Sequence, residues 1–152
     1  MKTLYLLIGN IGSGKSTWAK EFVKNNPKTK IVSADKFREM FTGEYKYEAG
    51  LDDVIDDCMV SAINRLLWNS FDVIVDVCNL FEGRRNTWLS TKFDKKVAVI
   101  FPAKDKEWHV KNRLKNSHTE NTDWGQIYED NVKSFQKIDE TQFDEVINIE
   151  SY

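Results

Sequence analysis

Cysteine is scarce in this chain. Cys58 and Cys78 are its only two in 152 residues, too few and too far apart for a thiolate zinc site or a disulfide framework, and a reducing cytoplasm is the expected compartment. Histidine is equally rare; His109 and His118 have no metal-ligating company and read as surface or packing residues. Charge of either sign is also lacking in excess. A formal net charge of −2 argues against a protein that coats nucleic acid, since such binding neutralises many phosphates, but leaves room for a few cations gripping one strand end. No apolar run approaches the roughly 18 to 20 residues that span a bilayer, and no membrane partner is expected. The Met1 to Tyr5 start runs into a turn without a small-residue cleavage site, so it is expected to be a core strand and not a signal peptide. Internal repeats and low-complexity tracts are missing too. The length suits one domain over residues 1–152.

What is present is concentrated early. Gly9-Asn10-Ile11-Gly12-Ser13-Gly14-Lys15-Ser16 is a complete Walker A loop, followed by Thr17 and set between the apolar run Leu4 to Ile8 and a helix-compatible stretch from Thr17 to Val23. A glycine-rich curl at the end of a strand turns backbone N–H groups inward and opens onto a helix N-terminus, which makes an anion nest. Phosphate oxygens of a nucleoside triphosphate are the natural guest. Lys15 is expected over the β- and γ-phosphates and the Ser16 hydroxyl on a bridging Mg²⁺, so ATP and Mg²⁺ are the implied cofactors.

Strand-length apolar runs recur at Leu4 to Ile8, Ile31 to Ser33, Phe71 to Val77, Val97 to Phe101 and Val146 to Ile149. Between them lie amphipathic segments. From Leu51 to Leu67, apolar residues follow an i, i+3, i+4 rhythm, with Asp52, Asp53, Asp56 and Asp57 on the opposite side as a solvated face. Lys104 to Lys115 is helix-like, anchored by Trp108 and Leu114; Asp123 to Lys137 places Trp124, Ile127, Tyr128, Val132 and Phe135 on one side, with Asp123 and Gln126 suited to a helix start. Asn116 to Thr122, between them, is polar and turn-prone. Strands alternating with helices imply an α/β fold, a parallel five-stranded sheet covered on both faces, with a small helical lid over about 104–122.

Ligands of such sheets sit at the carboxyl ends of the strands. After the second strand, Asp35 and Arg38 share one face if a helix begins there: the carboxylate can accept the proton of an attacking hydroxyl, and the guanidinium can hold a phosphate. The opposing reading is a capping Asp and a solvated Arg. Asp76 ends the third strand as a Walker B acid would, and is expected to hold Mg²⁺ directly or through water. Asn79 is a candidate for contact with substrate or metal-bound water, whereas Arg84 and Arg85 read as a solvated helix start. Arg113, flanked by Lys111, Lys115 and His118, is the candidate lid cation for the transferred phosphoryl group, against the plainer reading of an exposed helix Arg.

Gly12 to Phe22, the Asp35-x-x-Arg38 pair, Glu44-Tyr45-Lys46-Tyr47, and Asn79-Leu80 followed by Arg84-Arg85 resemble, in order and approximate spacing, the kinase domain of the phage polynucleotide kinase family. The resemblance spans roughly the whole chain. It implies a 5′-hydroxyl kinase acting on RNA or DNA ends with ATP as donor, with the residue matching Asp35 as general base and that matching Arg38 on the acceptor phosphate. The family's lid carries a further arginine a few residues beyond the position of Arg113, where this chain has Ser117 and His118, leaving Arg113 or Lys115 to serve. The phage enzyme's C-terminal phosphatase domain has no counterpart, so the expectation is 5′-phosphorylation without 3′-phosphate removal. A small-molecule kinase is the alternative, although the stretch after Asp76 lacks the Asp-Gly-aromatic-Pro-Arg pattern of an adenylate-kinase-like acceptor site. A non-catalytic nucleotide-binding module is the other; Lys15, Asp35 and Asp76 together speak against a decayed site.

Overall fold

A computed structural model describes residues 1–115 and 122–150. Its elements follow the chain as β1 (Thr3–Ile8), α1 (Lys15–Asn25), β2 (Thr29–Ser33), α2 (Ala34–Thr42), α3 (Leu51–Trp68), β3 (Asp72–Asp76), α4 (Glu82–Leu89), β4 (Lys95–Ile100), α5 (Lys106–Lys115), α6 (Trp124–Ser134), a 3₁₀ turn (Glu140–Gln142) and β5 (Glu145–Asn148). The five strands pair in parallel in the order β2-β3-β1-β4-β5. All five apolar runs are therefore strands, and the α/β class is the observed one.

Alternation along β1 divides the core. Leu4 and Leu6 join Val73 and Val75 of β3 beneath α3 and Trp88 of α4, while Leu7 joins Ile74, Val97 and Val99 against Ala19 of α1 on the other face. On α3 the buried residues are Ile55, Met59, Ile63 and Leu67, one every fourth position, each with 0% exposure. That stripe holds the helix to the sheet, since fully burying such a side chain contributes about 1.5–3 kcal/mol. Among the described residues no helix is long and apolar enough to cross a membrane.

Two of the four α3 carboxylates depart from the solvated-face expectation. Asp52 pairs with Arg38 of α2 at 2.6 Å and Asp56 with Arg84 of α4 at 2.5 Å, so this face ties neighbouring helices together. On α5 the buried residue is His109, whereas Leu114, expected as an anchor, is 52% exposed. On α6 Trp124 is buried, whereas Val132 within the helix and Phe135, just past its end at Ser134, are exposed. The expected turn-prone segment lies almost wholly outside the described residues, as do Ser117 and His118.

The topology prepares a site. From β1 the chain crosses to β2 and β3 on one side and to β4 on the other, so strand order reverses at β1, where ligands enter open parallel sheets. The β2–β3 register sets Ser33 opposite Asp76, so the first turn of α2 begins beside the end of β3.

Candidate active site

The loop from Gly9 to Gly14 leaves β1 and delivers the chain into α1 at Lys15, with Gly12 and Gly14 in left-handed backbone (φ 63° and 96°) that suits glycine. Gly12 is constrained further. A Cβ there would lie 2.1 Å from the His109 carbonyl oxygen and 2.9 Å from the Arg113 nitrogen, so the α5 backbone rests directly on the loop.

Side chains fasten the loop to α5 and α6. Asn10 accepts from its neighbour Ile11 N (2.8 Å) and from Asn131 Nδ2 (2.9 Å), and donates to the Tyr128 carbonyl (3.2 Å). His109 meets the Ile11 carbonyl through Nδ1 at 2.6 Å and the Lys104 N–H through Nε2 at 3.1 Å. A carbonyl only accepts and an amide only donates, so these partners assign a neutral imidazole with its proton on Nδ1. Burial, aided by the nearby Lys15 charge and opposed by the Ile11 hydrogen bond, lowers the pKa of this ring and agrees with that form. His109 thus packs, as expected.

Lys15 is buried, its Nζ donating to the Asn10 carbonyl at 2.8 Å and to Ser13 Oγ at 3.4 Å across the mouth of its own loop. Ser16 Oγ donates to Asp76 Oδ2 at 2.8 Å, bringing the two expected metal-site oxygens together. Burial raises the Asp76 carboxyl above its ordinary pKa, with Lys15 and the Ser16 hydroxyl pulling the other way. A partly buried carboxylate whose pKa stays raised despite Lys15, the Ser16 hydroxyl and Arg113 is an electrostatic deficit that a cation would relieve.

Asp35 stands where the walls meet. Its Oδ2 is 3.2 Å from an Arg113 guanidinium nitrogen on α5 and its Oδ1 is 3.5 Å from Arg38 one turn along α2, yet its side chain is 42% exposed to the cleft. Arg38 is buried and hydrogen-bonded to Asp52 Oδ1 at 2.6 Å, with its guanidinium 4.5 Å from the Tyr47 ring centroid. Burial alone would lower the basicity of that guanidinium, but the Asp52 bond and nearby groups outweigh it, so Arg38 stays firmly charged. Neither Asp35 nor Arg38 is the bare cap or solvated cation of the plainer reading, and Arg113 likewise is not a free helix arginine.

Three expectations are corrected by position. The Asn79 side chain is 1% exposed, its Nδ2 donating to the Leu7 carbonyl (2.8 Å) and its Oδ1 accepting from Trp88 Nε1 (2.8 Å). It is committed inside the fold instead of facing substrate or metal-bound water, because its φ of 53° turns the side chain back under β1. Arg85 is buried and donates to the carbonyls of Asn79, Leu80 and Gln136, and Arg84 stacks 4.9 Å from the Trp88 centroid while pairing with Asp56. Neither is a solvated helix start.

Residues 4–133 match the family model described as an AAA domain. The chain belongs to the AAA domain family. The match does not single out the phage polynucleotide kinases that the motifs resemble. A human relative, heterogeneous nuclear ribonucleoprotein U-like protein 2, is 27% identical over 122 residues, covering 72% of this chain but only 16% of its own length. Among solved structures, a chain of the Pnkp1/Rnl/Hen1 RNA repair complex superposes with a TM-score of 0.74 at 25% identity, over 88% of this chain and 43% of that one. A fungal RNA kinase superposes with a TM-score of 0.66 at 18% identity (99% and 75% covered) and a sugar kinase from Janibacter sp. HTCC2649 with 0.68 at 12% identity (97% and 86% covered). The fold of this AAA domain is that of P-loop kinases.

The donor set of the AAA domain fits the implied cofactors. Ser16 and Asp76 offer two hard oxygens side by side, the small protein contribution Mg²⁺ takes when phosphates complete its shell. Among the described residues no cluster of three or more His, Cys, Asp or Glu offers an alternative cage. Sequence reasoning missed several residues around the cleft: Asp52 as the anchor of Arg38, Tyr45 and Tyr47 beyond their place in a motif, and Trp124 beyond its place in a helix stripe. The aromatic spacing of Tyr45 and Tyr47 beside Arg38 was the available signal.

Proposed function

We propose that this chain is an ATP-dependent polynucleotide 5′-hydroxyl kinase. The observation that carries the reading is Asp35, a partly exposed carboxylate held between arginines from α2 and α5 in the cleft that the phosphate loop also lines. The acceptor 5′-oxygen attacks the γ-phosphorus of ATP, the bond to the β–γ bridging oxygen breaks, ADP leaves, and the hydroxyl proton passes to the Asp35 carboxylate. Lys15 turns from its own loop to the donor phosphates, and Arg38, anchored by Asp52, fixes a phosphate of the acceptor strand. Arg113 lies on the α5–α6 side, which serves as the lid, and neutralises charge spread over the transferring group. Mg²⁺, held by Ser16 and Asp76, supplies further charge neutralisation when bound.

The 25% identity to the RNA repair complex chain and the fold shared with an RNA kinase support a nucleic-acid acceptor. The sugar kinase superposes over 97% of this chain, which favours a small hydroxylated acceptor as the second reading. Transfer of labelled γ-phosphate to 5′-OH RNA and DNA oligomers, in competition with nucleosides, nucleoside monophosphates and sugars, separates the two. Labelled oligomer is the expected product, and label on a small molecule alone rejects the polynucleotide reading. Asp35→Asn should slow turnover by about 10²- to 10⁴-fold while the KM for ATP stays within about twofold; unchanged turnover removes Asp35 from the role of base.

A further inference from the structure

Residues 43–50 form a strap between α2 and α3 whose ends, Gly43 and Gly50, both adopt left-handed backbone (φ 80° and 82°) with nothing within 4 Å of an added Cβ. Most of the strap is exposed, but Tyr45 turns inward to line the cleft. Its ring centroid is 5.2 Å from that of Trp124 and 5.0 Å from the Arg113 guanidinium carbon, which is itself 4.3 Å from the Trp124 centroid. Its hydroxyl is tied to that of Tyr47 at 3.0 Å, and the Tyr47 ring receives Arg38. The two tyrosines therefore bracket the two arginines that bracket Asp35.

Behind Tyr45 the polar accounts do not close. Trp124 Nε1 and Arg113 Nε are buried and have no hydrogen-bond partner among the described residues. A buried N–H without an acceptor costs free energy, and adjacent orphans beside a cleft mark a place where a ligand brings the acceptors. A phosphate would satisfy them, but it would not explain an aromatic ring laid over them. A nucleobase explains both, having a π face for the ring and carbonyl or ring-nitrogen acceptors at its edge.

We propose that Tyr45 is a specificity-determining residue, giving the acceptor cleft an aromatic face, backed by Trp124 and Arg113, that selects a hydroxyl end bearing a nucleobase. This deepens the polynucleotide reading and rests on it. The strap pivots at its glycines to admit the base against the Tyr45 ring on the side of Trp124 and Arg113, so that acceptors at its edge can reach their unpartnered N–H groups. Burial raises the Tyr45 pKa, so the hydroxyl remains neutral beside an incoming phosphate. A sugar acceptor has no π face and gains nothing from this ring, whereas base–aromatic stacking strengthens binding of any of the four bases.

The test compares a 5′-OH oligomer with one of the same length whose 5′-terminal residue is abasic, in the wild type, Tyr45→Ala and Tyr45→Phe. In the wild type, loss of the base should raise acceptor KM roughly tenfold. Tyr45→Ala should raise KM for the base-bearing oligomer by a similar factor, leave the abasic oligomer unchanged, and so erase the difference; Tyr45→Phe should preserve it. The KM for ATP should not move in any of these. Equal use of both oligomers by the wild type, or equal losses on both in Tyr45→Ala, overturns the inference and leaves the kinase reading standing. Absence of transfer to either oligomer by the wild type overturns both.

Discussion

At position 79 the backbone occupies the left-handed region with φ 53°, a conformation that Asn tolerates better than most residues because its short amide can bond locally. The result is a buried amide that bridges two elements: one end accepts the indole N–H of Trp88 on α4, the other donates to the Leu7 carbonyl on β1. Its own carbonyl in turn accepts from Arg85 Nε at 3.0 Å. Removing the amide leaves a buried donor and a buried acceptor without partners, at about 1–3 kcal/mol each. Asn79→Ala should therefore destabilise the fold by about 3 kcal/mol, seen as a lower urea midpoint with an unchanged slope. Ordinary stability would show that relaxation or water satisfies both groups. Because the role is structural, the KM for each substrate in the fraction that remains folded should stay near the wild-type value.

The elements differ in how openly they announce themselves. Strands buried on both faces are continuous apolar runs, so β1, β3 and β4 stand out in the chain, and α3 declares itself through the spacing of Ile55, Met59, Ile63 and Leu67. The Walker A loop is equally plain, because its glycines answer a local backbone demand. Partnerships across long sequence distance are not legible in this way. Asn79 follows a strand, where a polar side chain can face outward or inward, and only the φ it adopts decides. Arg85 looked solvated because the carbonyls that bury it come together only when residue 136 packs beside residue 80. The Asp35–Arg113 pair joins positions 78 apart in the chain.

Docking of α5 is the clearest element-scale consequence. The helix backbone sits where a Cβ of Gly12 would be, and His109 reinforces the contact through its bond to Ile11. Gly12→Ala adds a methyl group at a left-handed position and drives it into backbone, which cannot yield as a flexible side-chain tip would. Displacement of α5 should carry Arg113 away from Asp35. The expected outcome is faster amide exchange across 106–115 and weakened nucleotide binding, with exchange in α3 little changed. Unaltered exchange in α5 would refute this packing.

For the whole molecule, the cleft gathers groups from opposite halves of the sheet: Lys15 and Ser16 follow β1, Asp35 follows β2, Asp76 ends β3, and Arg113 lies beyond β4. Two carboxylates of like sign share that cleft, and Asp35 raises the Asp76 pKa further although Lys15 and Arg113 act in the opposite direction. A bound Mg²⁺ nucleotide should consequently act on the stability of the entire fold and not on one loop. By mass action, a ligand at 100 times its Kd that binds only the folded state adds about 2.7 kcal/mol to unfolding stability. A non-hydrolysable ATP analogue with Mg²⁺ should raise the thermal midpoint accordingly. Asp76→Asn removes the negative charge that favours the metal while roughly preserving shape, so the Mg²⁺-dependent part of the shift should shrink while a smaller, metal-independent part persists through Lys15 and the glycine loop. If magnesium adds nothing to the shift in the wild type, or adds as much in Asp76→Asn, the metal is not held where Ser16 and Asp76 meet.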